Sequence, residues 1–350
     1  MVINKAFMTK IKGRTEIAEL GEFGLIDRLT SRFGAQCKST IYGVGDDAAV
    51  LRADDKEAML VSTDMMVEGI DFDLTYFPPK HLGYKAVTKG ISDIVAMNGV
   101  AEQITISLAI SSKLSVEFLD DFYEGVAFAA EEAGVDVVGG DTSASVTGFV
   151  INITAIGRAE KGRVTYRNGA MEHDLICLTG NVGSSYMGLR LLEREKRVLG
   201  DIPNPEPQFA GYEYLLEQYL KPRARYDIVE SLLEEDIVPT SMIDISDGLA
   251  SDLLQLCKSS SCGARIYLDH IPLAKQATAL ADEMNINPVI AGLNGGEDYE
   301  LLFTIPLEMR ERIMSIGCID IIGHITKAEA GNVLVMPDGS EVDLKAQGFK

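Results

Sequence analysis

The sequence predicts an α/β protein of two domains with mixed sheets, and three observations carry that prediction. The chain has 350 residues, more than one ordinary domain holds. Hydrophobic residues make up 46% and charged residues 24%, a composition that buries a real core. Segments with a period of two alternate with segments of helical period, and a polar, turn-rich stretch at 159–174 (AEKGRVTYRNGAMEHD) divides them. We place the boundary near residue 160, with an N-terminal domain over 1–160 and a C-terminal α/β domain over 161–350.

In the first domain, residues 82–97 carry Ala86, Val87, Ile91, Ile94 and Val95 at helical spacing. Residues 104–110 (ITISLAI) alternate apolar and polar side chains, as do 149–157 (FVINITAIG), which reads as half-buried strands of antiparallel type. Between them, Phe118, Phe122, Val126 and Ala130 recur four apart over 116–133, and Gly134 supplies the stop. The second domain opens on the apolar run LICLTG. A helix is predicted from about Ser184, a Pro-rich loop at 201–208, and helices from near Pro222 and near Ser246. Strands are predicted at 264–269, 299–305 and 319–325, and helices at about 272–284 and 306–316.

Charge narrows the function. Against 32 Lys and Arg stand 53 Asp and Glu, a formal −21, which repels nucleic-acid phosphates and anionic lipid. No run reaches the roughly 18 apolar residues of a membrane span, and the first residues show no signal-peptide core. Five cysteines without Cys-x-x-Cys spacing read as reduced thiols, and four histidines lack metal-site spacing. The expectation is a cytoplasmic enzyme that binds neither nucleic acid nor membrane.

The chemistry lies in where the carboxylates fall. Asp46 and Asp47 sit in GVGDDAAV, and Asp64 ends AMLVSTD beside Ser62 and Thr63. Asp71 and Asp73 follow in EGIDFD, Asp93 in KGISDIVAMNG, Asp141 closes VDVVGGD, and Asp244 and Asp247 frame DISDG. Any one of these segments also reads as a capped turn or a helix N-terminus. Converging at the ends of apolar runs, however, so many carboxylates stay ionised only around cations, and their natural load is hard divalent metal such as magnesium. The Gly-rich turn at 179–185 (TGNVGSS) and the Gly139–Gly140 pair read either as tight turns or as places where a phosphate approaches the backbone. GGEDYE at 295–300 is a further glycine–carboxylate turn. The chain has no G-x-x-x-x-G-K-[ST] loop, so ATP chemistry here needs metal ions to neutralise the phosphates.

In these residues the chain resembles the thiamine-monophosphate kinases. GVGDDAAV, STDMMVEG, KAVTKGISDIVAMNG, GGDTS, TGNVGSS, DISDGLASDL, CGARI and GGEDYELLFT fall in order, and the likeness runs from about Gly21 (GEFGLI) nearly to the C-terminus. The resemblance implies the aminoimidazole ribonucleotide synthetase-like fold: an N-terminal mixed sheet with helices that pairs in a homodimer, and a C-terminal α/β domain. It implies transfer of the γ-phosphate of ATP to thiamine monophosphate with several Mg²⁺ ions, the last step of thiamine diphosphate synthesis. By motif position the metal ligands are Asp47, Ser62, Thr63, Asp64, Asp93, Asp141, Asp244 and Asp247. The ATP contacts are Tyr123, Gly140, Asp141, Arg167 and Ser246, and the substrate contacts are Asp71, Glu297 and Phe349. No protein general base is expected, because a phosphate monoester with a second pKa near 6 is already largely ionised at pH 7.

Three features depart from the family pattern. Asp71 stands where many relatives carry His, Gly90 where Asn usually precedes the Ser-Asp pair, and Ala96-Met97-Asn98-Gly99 where the family reads AMGA. The competing readings are an ATP-dependent ligase-type relative such as aminoimidazole ribonucleotide synthetase, which does not share GGEDYEL, and a non-catalytic divalent-ion-binding protein, which leaves the Gly-rich turns unexplained.

Overall fold

The computed structural model describes residues 17–200 and 207–346. The first element of the described residues is α1 (Ile17–Thr30), bent at Gly21, where φ is 66°. The first sheet contains β1 (Thr40–Tyr42), β2 (Ala49–Arg52), β3 (Glu57–Val67), β4 (Val100–Ser111), β5 (Asp136–Ser145) and β6 (Val150–Glu160). Their order is β1-β2-β3-β6-β4-β5, antiparallel throughout except for the parallel β4–β5 pair at the edge. Helices α2 (Pro79–Ala96) and α3 (Val116–Ala133) accompany these strands. The period of two on β3 turns Ala58, Leu60, Ser62 and Met66 inward and exposes Thr63 and Met65 on the opposite face.

α2 and α3 cross backbone to backbone. A Cβ on Gly83 would stand 2.0 Å from Phe122 O, and one on Gly125 would stand 1.8 Å from Lys80 O. α3 is entered through Ser115, whose side chain accepts from Phe118 N, and it ends at Gly134 in the left-handed region, as its sequence signals require.

The second sheet is built from β7 (Leu175–Thr179), β8 (Ser241–Asp244), β9 (Cys262–Tyr267), β10 (Leu301–Ile305), β11 (Ile319–Lys327), β12 (Asn332–Val335) and β13 (Glu341–Asp343), in the order β13-β12-β9-β11-β7-β10-β8. It too is mixed, with only β12–β9 parallel. Its helices are α4 (Ser184–Leu199), α5 (Glu213–Leu220), α6 (Tyr226–Glu234), α7 (Leu249–Ser260), α8 (Lys275–Glu283), α9 (Pro288–Asn294) and α10 (Arg310–Ile313). Among the described residues no helix is long and apolar enough to cross a membrane.

The two halves meet over α2. Thr88 Oγ1 donates to Pro222 O at 3.2 Å, Ser92 Oγ to Asp244 Oδ2 at 2.5 Å, and Lys85 Nζ to Glu297 Oε2 at 3.1 Å. One apolar core is continuous from Ile151 and Ile153 of β6 to Met242 of β8 and Phe303 of β10. α2 is therefore buried on nearly every side.

Four predicted boundaries move. The helix expected near Ser246 begins at Leu249, because the amides of Ser246, Asp247 and Gly248 are drawn to the Asp252 carboxylate and Gly248 sits at φ 111°. The helix expected near Pro222 begins at Tyr226. The helix expected over 306–316 shrinks to a 3₁₀ turn and the four residues of α10. Strand β5 does not end at Asp141 but runs on to Ser145, paired along its length with β4 (Ser107 opposite Asp141, Ser111 opposite Ser145).

Candidate active site

Four elements deliver the acidic centre. Asp47 comes from the turn before β2, Asp64 from the inward face of β3, Asp93 from the last turns of α2, and Asp244 from the C-terminal end of β8. Asp47, Asp93 and Asp244 each offer an oxygen within 4.8 Å of the others. Burial drives the Asp93 carboxyl well above the usual carboxylate range, and the charges of Asp64, Asp244 and Asp47 add to it. Burial and the Asp47 charge push Asp244 up to about 7, against the hydrogen bond from Ser92. Asp46 is likewise pushed up to about 7, by burial and then by Asp47, with Arg167 opposing.

Among the described residues, Asp47 Oδ2 and Asp64 Oδ2 are buried without a hydrogen-bond partner. A buried carboxylate oxygen without a donor is costly, so the donor set of this centre suits a hard cation that oxygen ligands satisfy. Arg167 supplies one fixed counter-charge: its Nε lies 3.1 Å from Asp47 Oδ1, a terminal nitrogen also contacts that oxygen, and its backbone N–H donates to Asp46.

Beside this centre opens a cleft of about 770 Å³. Phe23, Ile26, Asp27 and Thr30 of α1 form one side, and Ser246, Asp247 and Asp252 border it from the β8–α7 turn. Of the residues nominated by motif, Thr63, Asp64, Asp71, Arg167, Ser246, Asp247 and Glu297 border the cleft, and Asp47, Asp93 and Asp244 form the adjoining acidic centre.

Others are placed differently. The Ser62 hydroxyl is inside the sheet–helix interface, donating to Gly90 O at 3.3 Å. Thr63 borders the cleft, but its hydroxyl is engaged by Asn152 and Thr154 of β6. Tyr123 is half-exposed on α3, and Gly140 and Asp141 sit on the exposed edge strand β5; none of the three borders the cleft. Phe349 lies outside the described residues.

Two of the departures from the family pattern have local explanations. A side chain at position 90 would collide with Ile153, whose Cγ2 lies 2.3 Å from where a Cβ would stand, so Gly90 fits this sheet. Asp71 accepts from Val67 N at 2.7 Å through Oδ2 and faces Lys89 Nζ at 3.6 Å through Oδ1.

Of the two readings of the Gly-rich turn before α4, the structure favours the tight turn. Gly183 N and Ser185 N donate to the carboxylate of Asp298 at 2.9 and 3.3 Å. The anion at this helix N-terminus is thus the chain's own, supplied by GGEDYE.

Sequence reasoning missed Lys85, Lys89 and Asp252. The first two share a spacing of four with Asp93 on α2, which puts all three on one helix face. Burial would lower the Lys89 pKa, but the charges of Asp64, Asp71, Glu297 and Asp93 outweigh it and hold it above its ordinary value.

Comparison with known proteins places this architecture. Residues 45–159 match the model for the N-terminal domain of AIR synthase related proteins, and residues 172–335 match that for their C-terminal domain. The thiamine-monophosphate kinase of Bacillus subtilis is 31% identical over 94% of this chain and 99% of its own length, and that of Escherichia coli K12 is 32% identical over 94% and 97%. A solved structure described as AaThiL complexed with AMPPCP and TMP superposes with a TM-score of 0.82 at 32% identity, over 96% of this chain and 99% of that one. The chain belongs to the thiamine-monophosphate kinase family. Its two-domain α/β fold is the one the motifs implied.

Proposed function

We propose that the chain transfers the γ-phosphoryl group of ATP to the phosphate of thiamine monophosphate, giving thiamine diphosphate and ADP. The observation that carries this reading is the pair of donorless carboxylate oxygens on Asp47 and Asp64, beside a cleft that also holds Arg167 and Glu297, in a chain of this family. The acceptor is ionised at neutral pH, so no side chain needs to remove a proton. An oxygen of the monophosphate forms a bond to the γ-phosphorus as the bond to the β–γ bridging oxygen breaks. The task of the protein is to hold two polyanions in line.

Asp47, Asp64, Asp93, Asp244 and Asp247 would hold Mg²⁺, with Ser62, Thr63 and Asp141 completing the set by motif position. Bound there, Mg²⁺ supplies charge neutralisation for the phosphates. Arg167 and Ser246 serve the nucleotide side, and Asp71, Glu297 and Phe349 the thiamine side.

We further propose that the working unit is a homodimer divided at about residue 160, with 1–160 carrying nucleotide, metal and dimer contacts and 161–350 forming the second domain. The exposed face and edge of the first sheet support this. Met65, Val137 and Val138 are 56, 45 and 56% exposed there, and an open apolar edge strand calls for a cover. We assign Tyr123, Gly140 and Asp141, which do not reach their own cleft, to the cleft of the second subunit. The acidic composition and scattered cysteines suit a cytoplasmic setting.

The test is to incubate purified protein with ATP, Mg²⁺ and thiamine monophosphate and to resolve products by chromatography, with free thiamine and formylglycinamidine ribonucleotide in parallel. Thiamine diphosphate and ADP in equal amounts, lost on adding EDTA, are the expected result. Turnover of the ribonucleotide instead would move the chain to the ligase-type relatives.

A further inference from the structure

α2 turns Lys85, Lys89 and Asp93 toward the acidic centre and its cleft from one face. Lys85 is spent: it is fully buried, bonded to Glu297 at 3.1 Å, and stacked 3.8 Å from the Tyr219 ring centroid. Lys89, one turn on, is different. Its side chain keeps 20% exposure and borders the cleft together with Asp64, Asp71 and Glu297. Its ammonium has three donors, yet among the described residues it makes one hydrogen bond, to Met65 O at 3.3 Å. Asp71 Oδ1, at 3.6 Å, is an ion-pair partner just beyond hydrogen-bond reach.

Three cations border the cleft among the described residues: Lys89, Arg167 and Lys258. Arg167 is committed to Asp47 through two nitrogens, and Lys258 is a surface side chain paired with Asp27 at 3.2 Å. Lys89 is the one with spare donors beside Glu297 and Asp71, on the side of the cleft assigned above to the acceptor.

We infer that Lys89 binds the phosphate of the acceptor substrate, a phosphate monoester dianion, and that Asp71 is a positioning residue that holds the Lys89 ammonium at the cleft wall. The Asp71 carboxylate is itself anchored by Val67 N at 2.7 Å, so it gives the lysine a fixed point rather than a mobile one. On this account Asp71 does not contact the thiamine ring; it presents a cation. The inference rests on the function proposed above and assigns a residue that no motif nominated. A charge-assisted hydrogen bond between an ammonium and a phosphate dianion sets the size of the expected effect.

The experiment uses the full-length enzyme and the variants Lys89→Gln, Lys89→Arg and Asp71→Asn. Steady-state kinetics with each substrate varied should show the KM for thiamine monophosphate raised about tenfold or more in Lys89→Gln, with the KM for ATP within about twofold of wild type. Lys89→Arg should recover most of the loss, and Asp71→Asn should raise the same constant by less. Calorimetry supplies a readout that a purely structural role would not move. Lys89→Gln should weaken thiamine monophosphate binding about tenfold and leave the binding of free thiamine, which lacks the phosphate, unchanged. Equal losses for both ligands, or a rise confined to the KM for ATP, would overturn the assignment. A wild-type enzyme that makes no thiamine diphosphate overturns the proposed function instead, whereas an active wild type matched by Lys89→Gln overturns the role of Lys89 alone.

Discussion

Lys85 Nζ donates to Glu297 Oε2 at 3.1 Å across the junction of the two halves, and its ammonium rests 3.8 Å from the centroid of the Tyr219 ring. Glu297 stands in the left-handed region at φ 57°, so the lysine fixes a carboxylate whose backbone is already constrained. Burial drives the Lys85 pKa down, and the Glu297 charge opposes it. The pair survives burial because each charge is the other's compensation.

Removing one member should therefore cost more than removing both. Lys85→Met leaves Glu297 without its partner and should lose about 3–5 kcal/mol in urea unfolding. Lys85→Met combined with Glu297→Gln should recover a large part of that loss. Additive losses in the double-mutant cycle would show that the two side chains act independently.

Glu297→Gln alone keeps the shape and gives up the charge. If Glu297 hydrogen-bonds the thiamine ring, the variant should raise the KM for thiamine monophosphate more than it lowers kcat. A fall in kcat at unchanged KM would move Glu297 into the transfer step itself.

The acidic centre gives the metal-free protein a pH dependence of definite sign. Asp46 and Asp244 are held at about 7 against an ordinary 3.8, so each binds its proton more tightly folded than unfolded. The stability they contribute is fully present below about pH 4 and is lost as pH rises through about 7. In EDTA the melting temperature should fall between about pH 5 and pH 8, by at least the ~1–2 °C that roughly 1 kcal/mol produces in a chain of this size. Excess Mg²⁺ should flatten the slope. A metal-free melting temperature that rises over that interval would contradict the packing of carboxylates described here.

The same crowding predicts that function and stability oppose each other at Asp93. Asp93→Asn should abolish turnover and raise the melting temperature in EDTA by about 2–4 °C, because a neutral amide relieves repulsion from Asp64, Asp244 and Asp47. Differential scanning fluorimetry beside the product assay checks both halves.

A shared site predicts complementation between subunits. Asp64→Asn and Asp141→Asn should each be inactive. Unfolded together and refolded as mixed dimers, they should regain about a quarter of wild-type activity, since half the dimers are mixed and one of the two sites in each is intact. No recovery would place Asp141 and Asp64 in one subunit's cleft.

The long elements were legible because their periodicity is strong: α3 was read at its true bounds of 116–133, and β4 and β6 came out near theirs. The short α5, α9, β12 and β13 were not, since segments of three to eight residues carry too little pattern to stand out. The acidic centre was legible because Asp47, Asp64 and Asp244 end apolar runs or sit in marked turns, and Asp93, inside the helix, sits in the motif KGISDIVAMNG. Lys85 and Lys89 were hidden for the opposite reason. Two lysines four apart on a helix ordinarily mark a solvated face, and only the wrapping of α2 by both halves turns that face inward. Asp252 lies in the first turn of α7, and its service to three loop amides is visible only once the turn is folded.

The bonds along α2 bear on how the molecule moves. Thr88, Ser92 and Lys85 rivet one half to the other at three points along a single buried rod, and the apolar core that runs across the same seam would be laid open to water if the halves swung apart. A hinge needs a seam that opens cheaply, and this seam does not. Substrates must then come and go through the mouth of the cleft, past α1, with the frame behind it standing still.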